Sequence, residues 1–109
     1  MLAILVGEPM DILSRIKQLI VRKKYRFSRK ATDELALDGL EEGDVLESIV
    51  NADRISKTMR SSVAPGEKLY VIQSRSYEGT LIYSKGKFAQ EGDEEIFYFL
   101  ISSKRSRRT

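Results

Sequence analysis

Apolar residues recur at three- and four-residue intervals through the first half of the chain and at every second position through the second, with the change of period near Asn51. The first texture predicts helices and the second predicts strands. Leu13, Ile16, Leu19 and Ile20 line one face of an amphipathic helix expected over residues 9–23, with Pro9 suited to its first turn. Asp11 near its start and Arg22, Lys23 and Lys24 near its end complement the helix dipole. Tyr25, Arg26 and Phe27 alternate as a short extended segment, and Ser28 can cap a second helix over residues 29–38 that stops at Gly39. In "EEGDVLESIVNA", Val45, Leu46, Ile49 and Val50 form the apolar face of a third helix, with Glu41, Glu42 and Asp44 at its N-terminal end.

Beyond Asn51, period-two runs predict strands at about residues 54–60, 68–74, 80–88 and 95–103, broken by "APGE", "SYEG" and "AQEGDE". Breaks this short favour hairpins, hence an antiparallel meander. The last run, "IFYFLIS", is apolar at almost every position, as expected of a strand covered on both faces, and should lie in the middle of the sheet with helices on at least one side. The expected fold class is therefore α+β, with N-terminal helices packed on one face of a four- to five-stranded antiparallel sheet. At 109 residues the chain suits a single domain. Its expected parts are an N-terminal extension (1–9), a helical half (10–52), the sheet (53–104) and a basic tail (105–109).

Composition narrows the chemistry. With no cysteine and no histidine, disulfides, thiolate and imidazole metal sites, and Ser-His-Asp or Cys-His catalysis are all excluded. Any reaction must use Lys, Arg, Glu, Asp, Tyr, Ser or Gln. The net charge of +3 invites a polyanion, yet four of the 19 basic residues (Lys104, Arg105, Arg107, Arg108) follow Ser103. That leaves 15 basic against 16 acidic side chains in the body, which is close to neutral. The opening "MLAILV" is too short for a membrane span or a secretory h-region, so a cytoplasmic protein with no membrane partner is expected.

Several polar groups fall on the predicted strands: Lys57, Arg60, Gln73, Arg75, Tyr83, Lys85 and Lys104. Residues two apart share a face, so an uncovered sheet face would gather a subset into a basic, hydrogen-bonding surface. Any half-exposed sheet carries polar residues on its wet face, so this pattern alone does not define a site.

The order of the pieces adds a resemblance. "YRFSRKATDELALDGLEEGDVLESIVNADRISKTM" resembles the helical half of the motility quorum-sensing regulator toxins and a related group of bacterial domains. "LYVIQS", "GTLIYSK" and "FLISSK" resemble the strands that carry the family's glutamine, tyrosine and closing lysine. The resemblance spans roughly residues 25 to 104. It implies a RelE-like, microbial-RNase-like fold, endoribonuclease cleavage of single-stranded mRNA, and a cognate antitoxin protein as partner. Carried over residue by residue, it implies Lys57, Gln73, Tyr83 and Lys104 as the catalytic constellation; Arg60, Arg75, Lys85 and Arg105, basic residues on or beside the same predicted strands, are the expected RNA contacts. The chain departs from the pattern in the longer hairpin "SKGKFAQEGDEE" and in "SSVAPGEKLY", which leaves Arg75 or Tyr70 as alternative holders of the proposed roles. Arg60 stands three residues from Lys57, so it shares a face with it only if the strand ends or bulges after Met59.

These residue types suit metal-independent RNA cleavage with no cofactor. The ribose 2′-hydroxyl attacks the adjacent phosphorus, and fixed cations offset the charge that builds on the phosphoryl oxygens. Lysine acts as a point charge, arginine as a planar fork, and a glutamine amide can orient the phosphate or a base edge. The rival expectation is a non-catalytic RNA-binding or partner-binding domain of the same fold.

Overall fold

The computed structural model describes residues 11–93 and 96–107. The expected extension over 1–9, Pro9 in the first helical turn, the start of the last strand at Glu95, and Arg108 of the tail lie outside the described residues.

Three helices and five strands follow in the order α1 (Ile12–Val21), β1 (Tyr25–Phe27), α2 (Arg29–Leu37), α3 (Glu42–Val50), β2 (Lys57–Arg60), β3 (Lys68–Arg75), β4 (Leu81–Ala89) and β5 (Phe97–Arg105). The chain is an α+β domain with an open, five-stranded mixed sheet in the order β1-β5-β4-β3-β2. Among the described residues, no helix is long and apolar enough to cross a membrane.

Local chemistry sets the helix ends. The Asp11 carboxylate accepts from the Ser14 amide at 2.8 Å, and Ser28 Oγ accepts from the Ala31 amide at 3.0 Å. Each satisfies an amide that the first turn leaves unpaired. α3 starts with the Asp44 carboxylate accepting from the Glu41 amide at 2.9 Å. α2 ends before Gly39, whose φ of 69° lies in the left-handed region. At the end of α1 the Lys24 amide donates to the Leu19 carbonyl and the Lys23 amide to the Ile20 carbonyl, the reversed turn that glycine usually closes. Here Lys23 takes that position, with φ 63°.

α1 and α3 cover one face of the sheet. Ile16, Ile20, Val45 and Ile49 pack with Leu35, Tyr70, Ile72, Ile82, Tyr98 and Leu100 in a single core. Gly86 lets this layer close: a Cβ there would meet the Tyr98 ring at 2.6 Å.

Two expectations are corrected. The hairpin-linked strands β2 to β5 are antiparallel as expected, but β1 adds to β5 in parallel, so the sheet is mixed. A strand that reaches the sheet from the helical half is free of hairpin geometry and can pair either way. β5 is interior, between β1 and β4, but helices cover only one of its faces. Tyr98 and Leu100 are fully buried, whereas Phe97, Phe99 and Ile101 are half-buried on the other side.

α2 lies along the part of the β5 edge that β1 is too short to reach. Ser28 hands the edge over, with its amide donating to Leu100 O and its hydroxyl to Ile101 O. Glu34 then accepts from the Ser103 amide at 3.1 Å and Asp38 from the Arg105 amide at 2.8 Å. Side chains four apart on a helix are about 6 Å apart along its axis. That nearly matches the advance of about 6.7 Å over two strand residues, so two carboxylates stand in for a missing strand.

Burial by itself would raise the Glu34 carboxyl, but hydrogen bonds from the Ser102 hydroxyl and the Ser103 amide, with Lys30 alongside, hold it below its ordinary value of 4.5. A lowered folded-state pKa adds stability that is fully present above the unfolded value and is lost as pH falls through the folded one. Glu34→Gln is therefore expected to cost about 1–2 kcal/mol at pH 7. The gap from the parent should close as pH drops below about 4.5, which urea unfolding at stepped pH would measure. A gap that persists unchanged at pH 3 would contradict this account of the edge.

Candidate functional site

The sheet face opposite the helices carries the polar constellation. Gln73 pairs with Tyr83, and Tyr83 pairs with Lys104, so three of the expected residues stand side by side across β3, β4 and β5. The adjacent row runs Lys57, Val71, Lys85 and Ser102. Lys57 thus lies diagonally across from Gln73, within reach of a long side chain. All four expected catalytic residues share one patch, with Lys85 between them and Val71, 4% exposed, as its apolar floor.

The presence of Lys104 in that row depends on a bulge. β5 gains one residue against β4 at Ile101: Leu100 stands opposite Gly86, but Ser102 opposite Lys85. Strict alternation would place Lys104 on the buried side with Tyr98 and Leu100. The extra residue reverses the parity, so Ser103 is buried opposite Ser84 and Lys104 emerges opposite Tyr83. Its ammonium lies 5.4 Å from the Tyr83 ring centroid, within cation–π range.

Gln73 and Tyr83 form a ridge between two shallow depressions. One, of about 550 Å³, is lined by Arg54, Ile55, Ser56, Lys57, Met59 and Val71; the other, of about 280 Å³, is lined by Lys104, Arg105, Ser106 and Arg107. Ser56 braces the first, its hydroxyl accepting from the Gln73 backbone N–H at 3.1 Å. Among the described residues no carboxylate pairs with Arg54, Lys57, Lys85 or Lys104, and no hydrogen bond engages the Tyr83 hydroxyl. The surface therefore presents unneutralised cations around a free phenol. A further depression of about 440 Å³ near α1 is lined by both signs of charge, and its Lys17 ammonium already donates to the Ala52 carbonyl. It has no comparable convergence of groups. Among the described residues no three acidic side chains gather as a metal site.

The other expected residues divide. Lys85 belongs to the patch. Arg75 shares its face, one step toward the β3–β4 turn, where its guanidinium donates to the Gly79 carbonyl at 2.7 Å. Arg105 lines the smaller depression, but its amide and guanidinium both bond Asp38. Arg60 stays in regular register opposite Lys68, with no bulge after Met59. It therefore lies on the opposite side of β2 from Lys57, away from the patch. Tyr70 is buried in the core against Phe88 and is not an alternative to Tyr83. Arg54 was not among the expected site residues, although its spacing of three from Lys57 was visible in the sequence. It lines the groove because the chain enters β2 irregularly, before strand pairing begins.

No protein-family model, no curated protein and no solved structure matches this chain.

Proposed function

We propose that this domain is a metal-independent endoribonuclease that cleaves single-stranded mRNA, the toxin of a toxin-antitoxin pair restrained by a cognate antitoxin protein. The observation that carries the reading is the registered row Gln73, Tyr83 and Lys104, with Lys57 and Lys85 beside it and, among the described residues, no acid paired with the three lysines. The resemblance of the "ISKTM", "LYVIQS", "GTLIYSK" and "FLISSK" segments to the motility quorum-sensing regulator toxins supports it, and the antitoxin rests on that resemblance alone.

In this reading an RNA strand crosses the ridge with its scissile phosphate over Tyr83. The 2′-hydroxyl gives its proton to Lys57, which enters the step as the neutral amine and leaves it as the ammonium. The 2′-oxygen bonds to phosphorus and the bond to the 5′-oxygen breaks. Tyr83 gives the departing oxygen its proton, and Lys104 and Lys85 stabilise the charge on the phosphoryl oxygens as it accumulates. The Gln73 amide orients the phosphate. The products are a 2′,3′-cyclic phosphate and a 5′-hydroxyl.

Incubating the pure protein with single-stranded RNA in excess EDTA and mapping the new ends tests this. Cleavage should persist in EDTA and leave 5′-hydroxyl ends. Abolition by EDTA, or 3′-hydroxyl products, would refute the mechanism, and salt-sensitive RNA retention without cleavage would leave a binding domain instead.

A further inference from the structure

β5 is apolar on both faces, yet the helices cover only one. On the open face Phe99 stands between Lys87 of β4 and Arg26 of β1, and Phe97 lies opposite Ala89. The two rings meet edge to face at 6.4 Å. The Arg26 guanidinium lies 4.5 Å from the Phe97 ring centroid and is held there by Glu91 at 2.8 Å. Beside Phe97 is a depression of about 400 Å³ whose lining includes Lys23, Arg26 and Ile96.

Lys23 supplies an independent observation. It occupies a left-handed backbone position, φ 63°, that glycine would fill without strain, and among the described residues its ammonium has no ion pair. The helix-ending hydrogen bonds hold the backbone there, and non-glycine residues in such positions cluster at functional sites.

We propose that this half of the open face is a base-stacking subsite for single-stranded RNA. Unpaired bases stack on Phe99 and on the Arg26–Phe97 pair, while the sugar–phosphate chain runs past Lys23. The proposal rests on the RNA reading of the neighbouring row. Aromatic rings on an open sheet face, with Lys23 beside them and with Arg26 and Lys87 paired to Glu91 and Glu67, offer unstacked bases a surface and the chain between them a cation. A duplex keeps its base faces covered and cannot use them. The subsite also continues the candidate active site: Lys87 is four residues from Tyr83 along β4, about 13 Å, and Ala89, opposite Phe97, is about 20 Å away. It would therefore hold nucleotides a short way along the strand from the scissile phosphate.

The test measures fluorescence anisotropy of a labelled single-stranded 2′-O-methyl RNA of mixed sequence, which cannot undergo the cleavage step, across a salt series. Phe97→Leu and Phe99→Leu keep apolar bulk but lose the ring. Each is expected to weaken binding about tenfold with little change in salt dependence. Lys23→Gly should weaken binding, lower the salt slope by about 0.7 and raise the thermal midpoint. If all three variants bind as the parent does while Lys57→Ala and Lys104→Ala bind more weakly, the subsite is refuted and the RNA reading survives. If the parent binds no RNA at low salt, both fall. If sedimentation shows self-association that Phe99→Leu abolishes while RNA binding is unchanged, the face belongs to a second copy of the chain and the subsite is refuted.

Discussion

Replacing Tyr83 by Phe is expected to slow single-turnover RNA cleavage by about 10²- to 10⁴-fold, the range lost when a positioned acid or base is removed. Lys57→Ala should have an effect of similar size. The two together should cost much less than the product of the separate losses, because an acid and a base that serve one displacement at phosphorus fail as a unit. Neither change should disturb the fold. Lys57 is exposed and Tyr83 half-exposed, on a face that no helix covers, so the unfolding free energy measured in urea should move by no more than about 0.5 kcal/mol. Cleavage at the parent's rate by both variants would remove the row from the chemistry. A loss of activity matched by a loss of stability would instead make these residues structural.

Gly86→Ala should be among the most destabilising single-methyl additions to this sheet, by about 3 kcal/mol or somewhat less, with unfolding measured in urea. The added carbon would sit 2.6 Å from two atoms of the Tyr98 ring and 2.7 Å from its hydroxyl oxygen. The ring cannot swing aside: Tyr98 is fully buried and meets Phe88 edge to face at 5.9 Å. Burial, with Tyr70 adding to it, pushes the Tyr98 hydroxyl above its ordinary range, so it remains neutral, and among the described residues it finds no hydrogen-bond partner. Tyr98→Phe alone should therefore be neutral or stabilising by up to about 1 kcal/mol. In the double variant it should recover part of the Gly86→Ala loss, since it removes one of the three clashing atoms. If Gly86→Ala proves neutral, the packing described for this layer is wrong.

Much of the fold was legible before the structure, for local reasons. The cap at Ser28 follows from a side chain bonding a backbone amide three residues on, and the stop at Gly39 from glycine's tolerance of the left-handed turn, whereas Asp11 was expected to complement the dipole inside the helix and is its cap instead. The hairpins between β2 and β5 follow from short breaks rich in Gly and Pro. Alternation put Gln73 on one face with Arg75 in β3 and Tyr83 on one face with Lys85 in β4, and the register of the two strands then brought Gln73 beside Tyr83. The regular register of β2 likewise separated Arg60 from Lys57.

What alternation could not supply was parity after an irregularity. Lys104 joins Tyr83 only through the extra residue at Ile101. That bulge is fixed by partners remote in sequence: Ser28 bonds the Ile101 carbonyl, and Glu34 bonds Ser102 and Ser103. The apolar run of β5 misled for a related reason. A strand covered on both sides and a strand with an aromatic face left open have the same composition, and only the position of the helices separates them.

By itself, then, the sequence determined the kinds of element, their order and the chemistry its residue types allow, because these depend on contacts within a few residues. Tertiary structure alone decided which sheet face is open, that β1 joins in parallel, that α2 closes one edge with two carboxylates, and that Lys104 meets Tyr83. Each of those outcomes depends on pairing between segments tens of residues apart, and a one-residue change of register there moves a side chain to the other side of the sheet.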